Sequence, residues 1–363
     1  VSFRHFELAD IDGLNALRAE AGWAPLQRPH WEWQLQNPAR GDTPVGWVLD
    51  RNGSIDGFVG NFIQSYYRGS ERFRAATGHE ILVSRRARGA AKRAIFTFLD
   101  QPDMFVCGTL NANTLSAPIH RKLGLTPYPP QTDALKLSWI LSPVALAKAR
   151  LYRRTAQRFP DWPLWRKEHF TPHRAARFDA RTVKWPKGVQ LISSLNDNSD
   201  YARFWEDLRA DGRLVADRSP ALMRWRTADP NLKTRPLLLA WRDEKGLAAY
   251  GWAQLSKMGT IDTAVLEILD LVALERASEE AIPALVDAMK LAGRRMGASK
   301  VRLHVLSLRL KARLGRQMAS AREEGGWGHG HVRFNQPMED FADWDPTPFD
   351  SCYSYNLRQP RFS

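Results

Sequence analysis

The chain has 363 residues, 44% of them hydrophobic and 25% charged. That is the mix of a folded protein of about two domains, and it excludes a disordered, collagenous or coiled-coil chain. Its 53 Lys and Arg against 39 Asp and Glu leave a net charge of +14, which fits an anionic partner or cofactor.

No apolar run reaches about 18 residues, so no transmembrane helix is expected. The start, Val1-Ser2-Phe3-Arg4-His5, has no apolar segment of a signal peptide. The missing Met points to a processed or trimmed chain. Two cysteines, Cys107 and Cys352, are too few for a disulfide scaffold or a structural zinc site, and a reducing cytoplasm is expected. Cys107 lies in the apolar run Met104-Phe105-Val106-Cys107 and reads as a buried, inert thiol.

In chain order, the pattern predicts a strand end and a first helix within 6–23. A Trp-rich stretch, Trp31-Glu32-Trp33, leads to a hairpin, Val45-Gly46-Trp47-Val48-Leu49 and Gly57-Phe58-Val59-Gly60, closed by Asp50-Arg51-Asn52-Gly53. The strand Glu80-Ile81-Leu82-Val83 runs directly into a helix over 89–100. A further strand over 104–109 and a helix over 115–123 follow. The same order recurs about 190 residues later. Arg224-Trp225-Arg226 precedes a second hairpin (Leu237-Leu238-Leu239-Ala240-Trp241 and Ala248-Ala249-Tyr250-Gly251-Trp252), a strand over 266–272, a helix over 278–293, a strand over 301–305 and a helix over 308–318. Two α+β units in tandem account for this, each a mixed, mostly antiparallel sheet flanked by helices.

Between the copies, 146–188 holds twelve Lys and Arg against three acids, with Pro160, Pro163, Pro172 and Pro186. It reads as a basic connector between domains over 1–145 and 189–363. It is also a candidate docking surface for an acidic partner. Trp162, Trp165 and Trp185 among its charges predict that it packs on something. Near the end, the glycine-rich stretch 325–331 reads as a mobile loop carrying His329 and His331. The aromatic tail 344–363 (Trp344, Phe349, Tyr353, Tyr355, Phe362) reads as a docked strand.

One turn carries chemistry. Arg86-Ala87-Arg88-Gly89-Ala90-Ala91 sits between a strand and its helix. A helix N-terminus offers backbone N–H groups and the positive end of the dipole, and small residues let a pyrophosphate approach them. Arg86, Arg88, Lys92 and Arg93 add attraction. Downstream come Asn111-Ala112-Asn113, then His120 and Leu123-Gly124-Leu125. With these residues the chain resembles the GNAT superfamily (Gcn5-related N-acyltransferases), over about 2–140. The loop matches the family's Arg-x-x-Gly-x-Ala form. The later motif matches at Asn113, Leu123, Gly124 and Leu125, with His120 where the family has a Tyr.

The resemblance implies an acyl-CoA co-substrate, with no metal. Its pyrophosphate would bind Arg86, Ala87, Arg88, Gly89, Ala90 and Ala91, and its pantetheine arm would lie along Ile81, Leu82 and Val83. Asn113 belongs to the same implied set. A primary amine of a peptide or an amino sugar would attack the thioester. The reaction needs a base, an oxyanion donor and a proton for the departing thiolate. His120, as imidazolium, would supply the last. The family's usual acidic position is Ala75 here, which leaves His79 and Glu80 as candidate bases; strand alternation puts them on opposite faces.

The second copy has no such loop. Its turn reads Leu274-Glu275-Arg276-Ala277-Ser278-Glu279-Glu280, whose acids repel a pyrophosphate, so it is expected to serve as scaffold or acceptor surface. Similar tandem proteins act in polysaccharide assembly and in lipidation of ribosomal peptides, which leaves the acyl length open. An acidic acyl-carrier protein as donor, or an acidic peptide leader, would suit the basic connector. Two alternatives stand beside this reading: a FemABX-like transfer from aminoacyl-tRNA, and a non-catalytic binding protein on the same scaffold.

Overall fold

The computed structural model describes residues 3–325 and 327–357. The first half runs β1 (Phe3–His5), α1 (Ile11–Glu20), α2 (Arg28–Leu35), β2 (Gly46–Arg51), β3 (Ser54–Arg68), β4 (Glu71–Val83), α3 (Ala91–Leu99), β5 (Val106–Asn113), α4 (Ser116–Lys122), β6 (Thr126–Pro127) and β7 (Lys136–Ile140). After α5 (Pro143–Arg158) come β8 (Val189–Leu191), α6 (Asp200–Ala210), β9 (Val215–Ala216), α7 (Pro220–Thr227), β10 (Leu237–Asp243), β11 (Gly246–Ser256), β12 (Val265–Ala273) and α8 (Ala281–Met296). The chain ends in β13 (Lys300–His304), α9 (Leu308–Arg313), β14 (Arg322–Glu324), β15 (Trp327–Phe334) and α10 (Tyr353–Asn356).

Local chemistry explains most of these elements. Asn52 and Gly53 both take left-handed backbone, φ 54° and 82°, the geometry a two-residue hairpin demands and Asn-Gly supplies. α3 buries Ala94, Ile95, Phe98 and Leu99, the one-sided spacing of an amphipathic helix.

The described residues form two mixed sheets. In the first, β1-β2-β3-β4-β5-β15-β6 are neighbours and β9 adds to β3; in the second the order is β14-β7-β13-β12-β11-β10-β8. Each has one parallel pair at the same place in its repeat, β4 with β5 and β12 with β13. The tandem α+β reading therefore holds, but the expected cut at 145 does not separate the sheets. β7, from the first half, pairs with β13 in the second sheet. β15, from the second half, lies between β5 and β6 in the first. The two units have exchanged equivalent strands. Trp33 and its repeat counterpart Trp225 show the same reciprocity. Their rings stack at 4.4 Å, and each indole N–H donates to the other's carbonyl at 2.8 Å.

The largest core lies between the sheets and includes Phe62, Tyr66, Tyr250, Trp252, Trp344 and Phe349. The tail is docked there as expected, though as a short turn over Pro348–Asp350 and the helical turn α10 rather than as a strand. Its residue Phe362 lies outside the described residues. A buried ionic network fixes the tail. Arg218 donates to both oxygens of Asp270, at 2.8 and 3.1 Å, and to Thr347 Oγ1 at 2.9 Å. Arg226 donates to the carbonyls of Phe349 and Ser351. The expected loop at 325–331 is instead mostly strand β15; Gly326 lies outside the described residues. The connector does pack, and it packs on the second unit: Glu168 pairs with the buried Lys257, and Thr260 Oγ1 donates to the Trp165 carbonyl at 2.7 Å.

Candidate active site

β4 carries the central irregularity. Leu82 pairs with Phe58 and His79 with Gly60, so Glu80 and Ile81 together oppose the single residue Val59. This is a β-bulge, and Glu80 takes the left-handed φ of 50° that it requires.

The bulge overturns the expectation that His79 and Glu80 face opposite sides. The Glu80 carboxylate pairs with the Arg18 guanidinium of α1. His79 packs edge-on against Tyr355 at 5.2 Å, and Tyr355 in turn touches Trp33 and His30 of α2. Both side chains thus lie on the face covered by α1 and α2. Ile81 alone goes to the other face, where it packs with the α3 cluster. The extra residue breaks the period-two alternation from which opposite faces were expected. Arg18 is buried, donates to the Ala24 carbonyl at 2.8 Å, and lies over the Trp23 ring. His79 owes its place to Gly60, where a Cβ would come within 2.4 Å of the imidazole.

Beside the bulge opens a cleft of about 330 Å³ between Leu17, Glu20 and Ala21 at the end of α1 and Leu82, Val83, Ser84 and Arg85. It leads to the turn expected to hold a pyrophosphate, a 3₁₀ stretch over Arg85–Ala90 that feeds α3 at Ala91. Ala87 and Ala90 are buried and anchor the turn; Arg86, Arg88 and Gly89 are exposed. Buried Asp56 holds its start, taking Ser84 Oγ at 3.0 Å and Arg86 at 3.2 Å. A Cβ at Gly89 would meet nothing within 4 Å.

β5 separates from β4 beyond the Thr77–Gly108 pair. The tail packs beside the last paired residues: Thr77 Oγ1 donates to the Asp350 carbonyl at 3.4 Å, and Gln64 of β3 donates to the Phe349 carbonyl at 2.9 Å. On the β5 side, the Asn113 side chain accepts from the Leu115 and Ser116 N–H groups at 2.9 and 2.8 Å. It caps α4.

His120 does not fit the role expected of it. It is buried with its ring 5.8 Å from that of His331 on β15. Burial, and then the neighbouring His331, push its pKa down to about 4. The ring is neutral at neutral pH and is no imidazolium donor. Burial likewise pushes the Cys107 thiol up to about 12, which agrees with an inert thiol.

The structure thus gathers His79 to Ala91 along one strand, turn and helix start, and leaves His120 with His331. The residues that sequence reasoning missed are Arg18, His30, Gly60 and Tyr355. Gly60 sits in the first hairpin and Tyr355 in the aromatic tail, but nothing local marks either as a neighbour of His79.

In the second unit the equivalent turn is closed by arginines. Arg313 donates to the Leu274 carbonyl at 2.9 Å, and Arg309 and Arg316 pair with Glu275 and Glu280.

No protein-family model matches the chain, and no curated protein matches its sequence. Solved structures do resemble it. A GCN5-related N-acetyltransferase from Anabaena variabilis aligns with a TM-score of 0.53 at 16% identity, over 92% of this chain and 72% of that one. One from Kribbella flavida gives 0.50 at 13%, over 92% and 71%. Saccharomyces cerevisiae N-myristoyltransferase, solved with myristoyl-CoA and inhibitors, gives 0.54 at 11%, over 96% and 85%. The chain has the fold of the GNAT superfamily, in two tandem units.

Proposed function

We propose that this chain is an N-acyltransferase that moves an acyl group from acyl-CoA, held by the first unit, to a primary amine entering between the units. What carries the reading is the continuity of three features along one strand: the bulge at Glu80 and Ile81, the adjoining cleft, and the open basic turn at Gly89. The pantetheine arm runs along Ile81, Leu82 and Val83, and the pyrophosphate rests on the turn with Arg86 and Arg88. A backbone N–H that the bulge frees from the β3 ladder stabilises the oxyanion.

In the transfer the amine nitrogen bonds to the thioester carbon and the C–S bond breaks. One ammonium proton goes to a base before attack, and a second ends on the thiolate. His79 and Glu80 are the candidate bases because they share the face on which α1, α2 and Tyr355 meet. Glu80 is paired with Arg18 and His79 packs against Tyr355, so both stay candidates. The acceptor is a peptide amine or an amino sugar. An acyl-carrier protein is the other donor to compare.

The deciding experiment is a thermal-shift titration with CoA and its esters of increasing acyl length. A rise in Tm with CoA, growing with the preferred ester, supports the reading, since a ligand bound only by the folded state stabilises it. No shift with any of them overturns it.

A further inference from the structure

A second surface, independent of the acyl-transfer reading, points to a partner. α5 lies on the outside of the molecule, and of its residues only Ala149 is buried. Ala145, Ala149, Tyr152 and Ala156 turn inward at helical spacing. About a third of a turn round the helix from that row lie Val144, Leu151 and Arg158, with Lys148 and Thr155 between them. Val144 is 66% exposed and Leu151 61%. Past the helix end, Phe159 and Trp162 are each 52% exposed.

That corner is ordered by its own contacts. Trp162 packs edge-on against Phe159 and Trp165, and the Trp165 indole donates to the Phe159 carbonyl at 2.8 Å. Charge surrounds these apolar residues. Over 143–167 there are seven Lys and Arg and one acid, Asp161. Arg153 is paired with Asp262. Among the described residues, Lys148, Arg154, Arg158, Arg166 and Lys167 have no acidic partner within ion-pair distance.

We propose that α5 and the Phe159–Trp162 corner form a docking surface for an anionic lipid bilayer. Single exposed apolar side chains are ordinary, but four within 144–162, among cations with no acidic partner, are not. The helix is about 24 Å long and presents a ridge. None of the four apolar residues lines the larger cleft beside the helix. A protein partner would anchor an aromatic or Arg side chain in a pocket. A bilayer accepts a ridge: aliphatic and aromatic groups enter the headgroup boundary while Lys and Arg meet lipid phosphates. Among the described residues no helix is long and apolar enough to cross a membrane, so the attachment is peripheral.

Co-sedimentation of the full chain with vesicles tests this. Vesicles of phosphatidylcholine with about 30 mol% phosphatidylserine should pellet the protein at least about tenfold better than phosphatidylcholine alone. Raising NaCl from about 0.1 to about 0.5 M should release most of it. Two double variants, Phe159→Ser with Trp162→Ser and Arg154→Glu with Arg158→Glu, should each lose binding about tenfold, with Tm unchanged in the arginine pair, whose side chains are exposed. No pelleting with the anionic vesicles, or pelleting unaltered in both variants, overturns the proposal. So does self-association abolished by the aromatic pair, or capture of an acidic carrier protein without lipid binding; either would give the face to a protein.

Discussion

Replacing Gly89 by Glu isolates the electrostatics of the turn from its fold. A Cβ there meets nothing within 4 Å, and the residue has no left-handed backbone to lose. The folded state should therefore change by no more than about 0.5 kcal/mol. A carboxylate about 6 Å from a diphosphate carrying two charges costs roughly 1.4 to 5.5 kcal/mol as the effective dielectric falls from that of water to about 20. For an exposed turn the lower part of that range applies, and about 2 kcal/mol corresponds to an acyl-CoA Kd roughly 30-fold weaker. Gly89→Gln, of the same size without the charge, should bind several-fold better than Gly89→Glu, and the gap should narrow with added salt. Calorimetric titration with CoA gives the affinity, and Tm reports the fold. A Gly89→Glu protein with normal Tm and normal Kd would remove the diphosphate from this turn.

Two further perturbations probe the neighbouring chemistry. Gly60→Ala pushes a methyl within 2.4 Å of the His79 ring, which is backed by Tyr355. It should cost about 1 to 3 kcal/mol in urea unfolding and lower turnover more than acyl-CoA affinity; equal loss of both would make His79 a packing residue. His120 gives a pH signature. Its folded pKa is pushed down to about 4, whereas an unfolded histidine titrates near 6.5. Between these values the unfolded chain holds the extra proton. Stability is thus full above about 6.5 and falls as pH drops towards 4, by at most about 1.4 kcal/mol per pH unit from this ring. His120→Gln should flatten that limb. A slope unaltered in the variant would trace the acid sensitivity to other groups.

The elements and the tandem plan are written locally. Asn52-Gly53 closes a hairpin, the helix expected over 89–100 forms as Ala91–Leu99, and the 190-residue repeat matches two sheets with equivalent parallel pairs. The basic turn before α3 is legible because strand, small residues and helix start are contiguous in sequence. Periodicity and turn chemistry act over a few residues, so one sequence suffices to read them.

Tertiary structure decided the rest. β7 and β15 stand in equivalent places of the repeat, and nothing in either tells which sheet it joins; in the fold each pairs with strands of the other unit. One extra residue in β4 turned Glu80 onto the face of His79, an effect invisible to a pattern that assumes strict alternation. His120 stands at the spacing of a family donor, yet its ring meets His331 from a strand more than 200 residues away, and desolvation there keeps it neutral. The tail reached His79 because the buried Arg218 and Arg226, of the second unit like the tail itself, hold it between the sheets. Pairing partners, faces and protonation states depend on what is buried against what, and that is settled only when distant segments compete for the same interior.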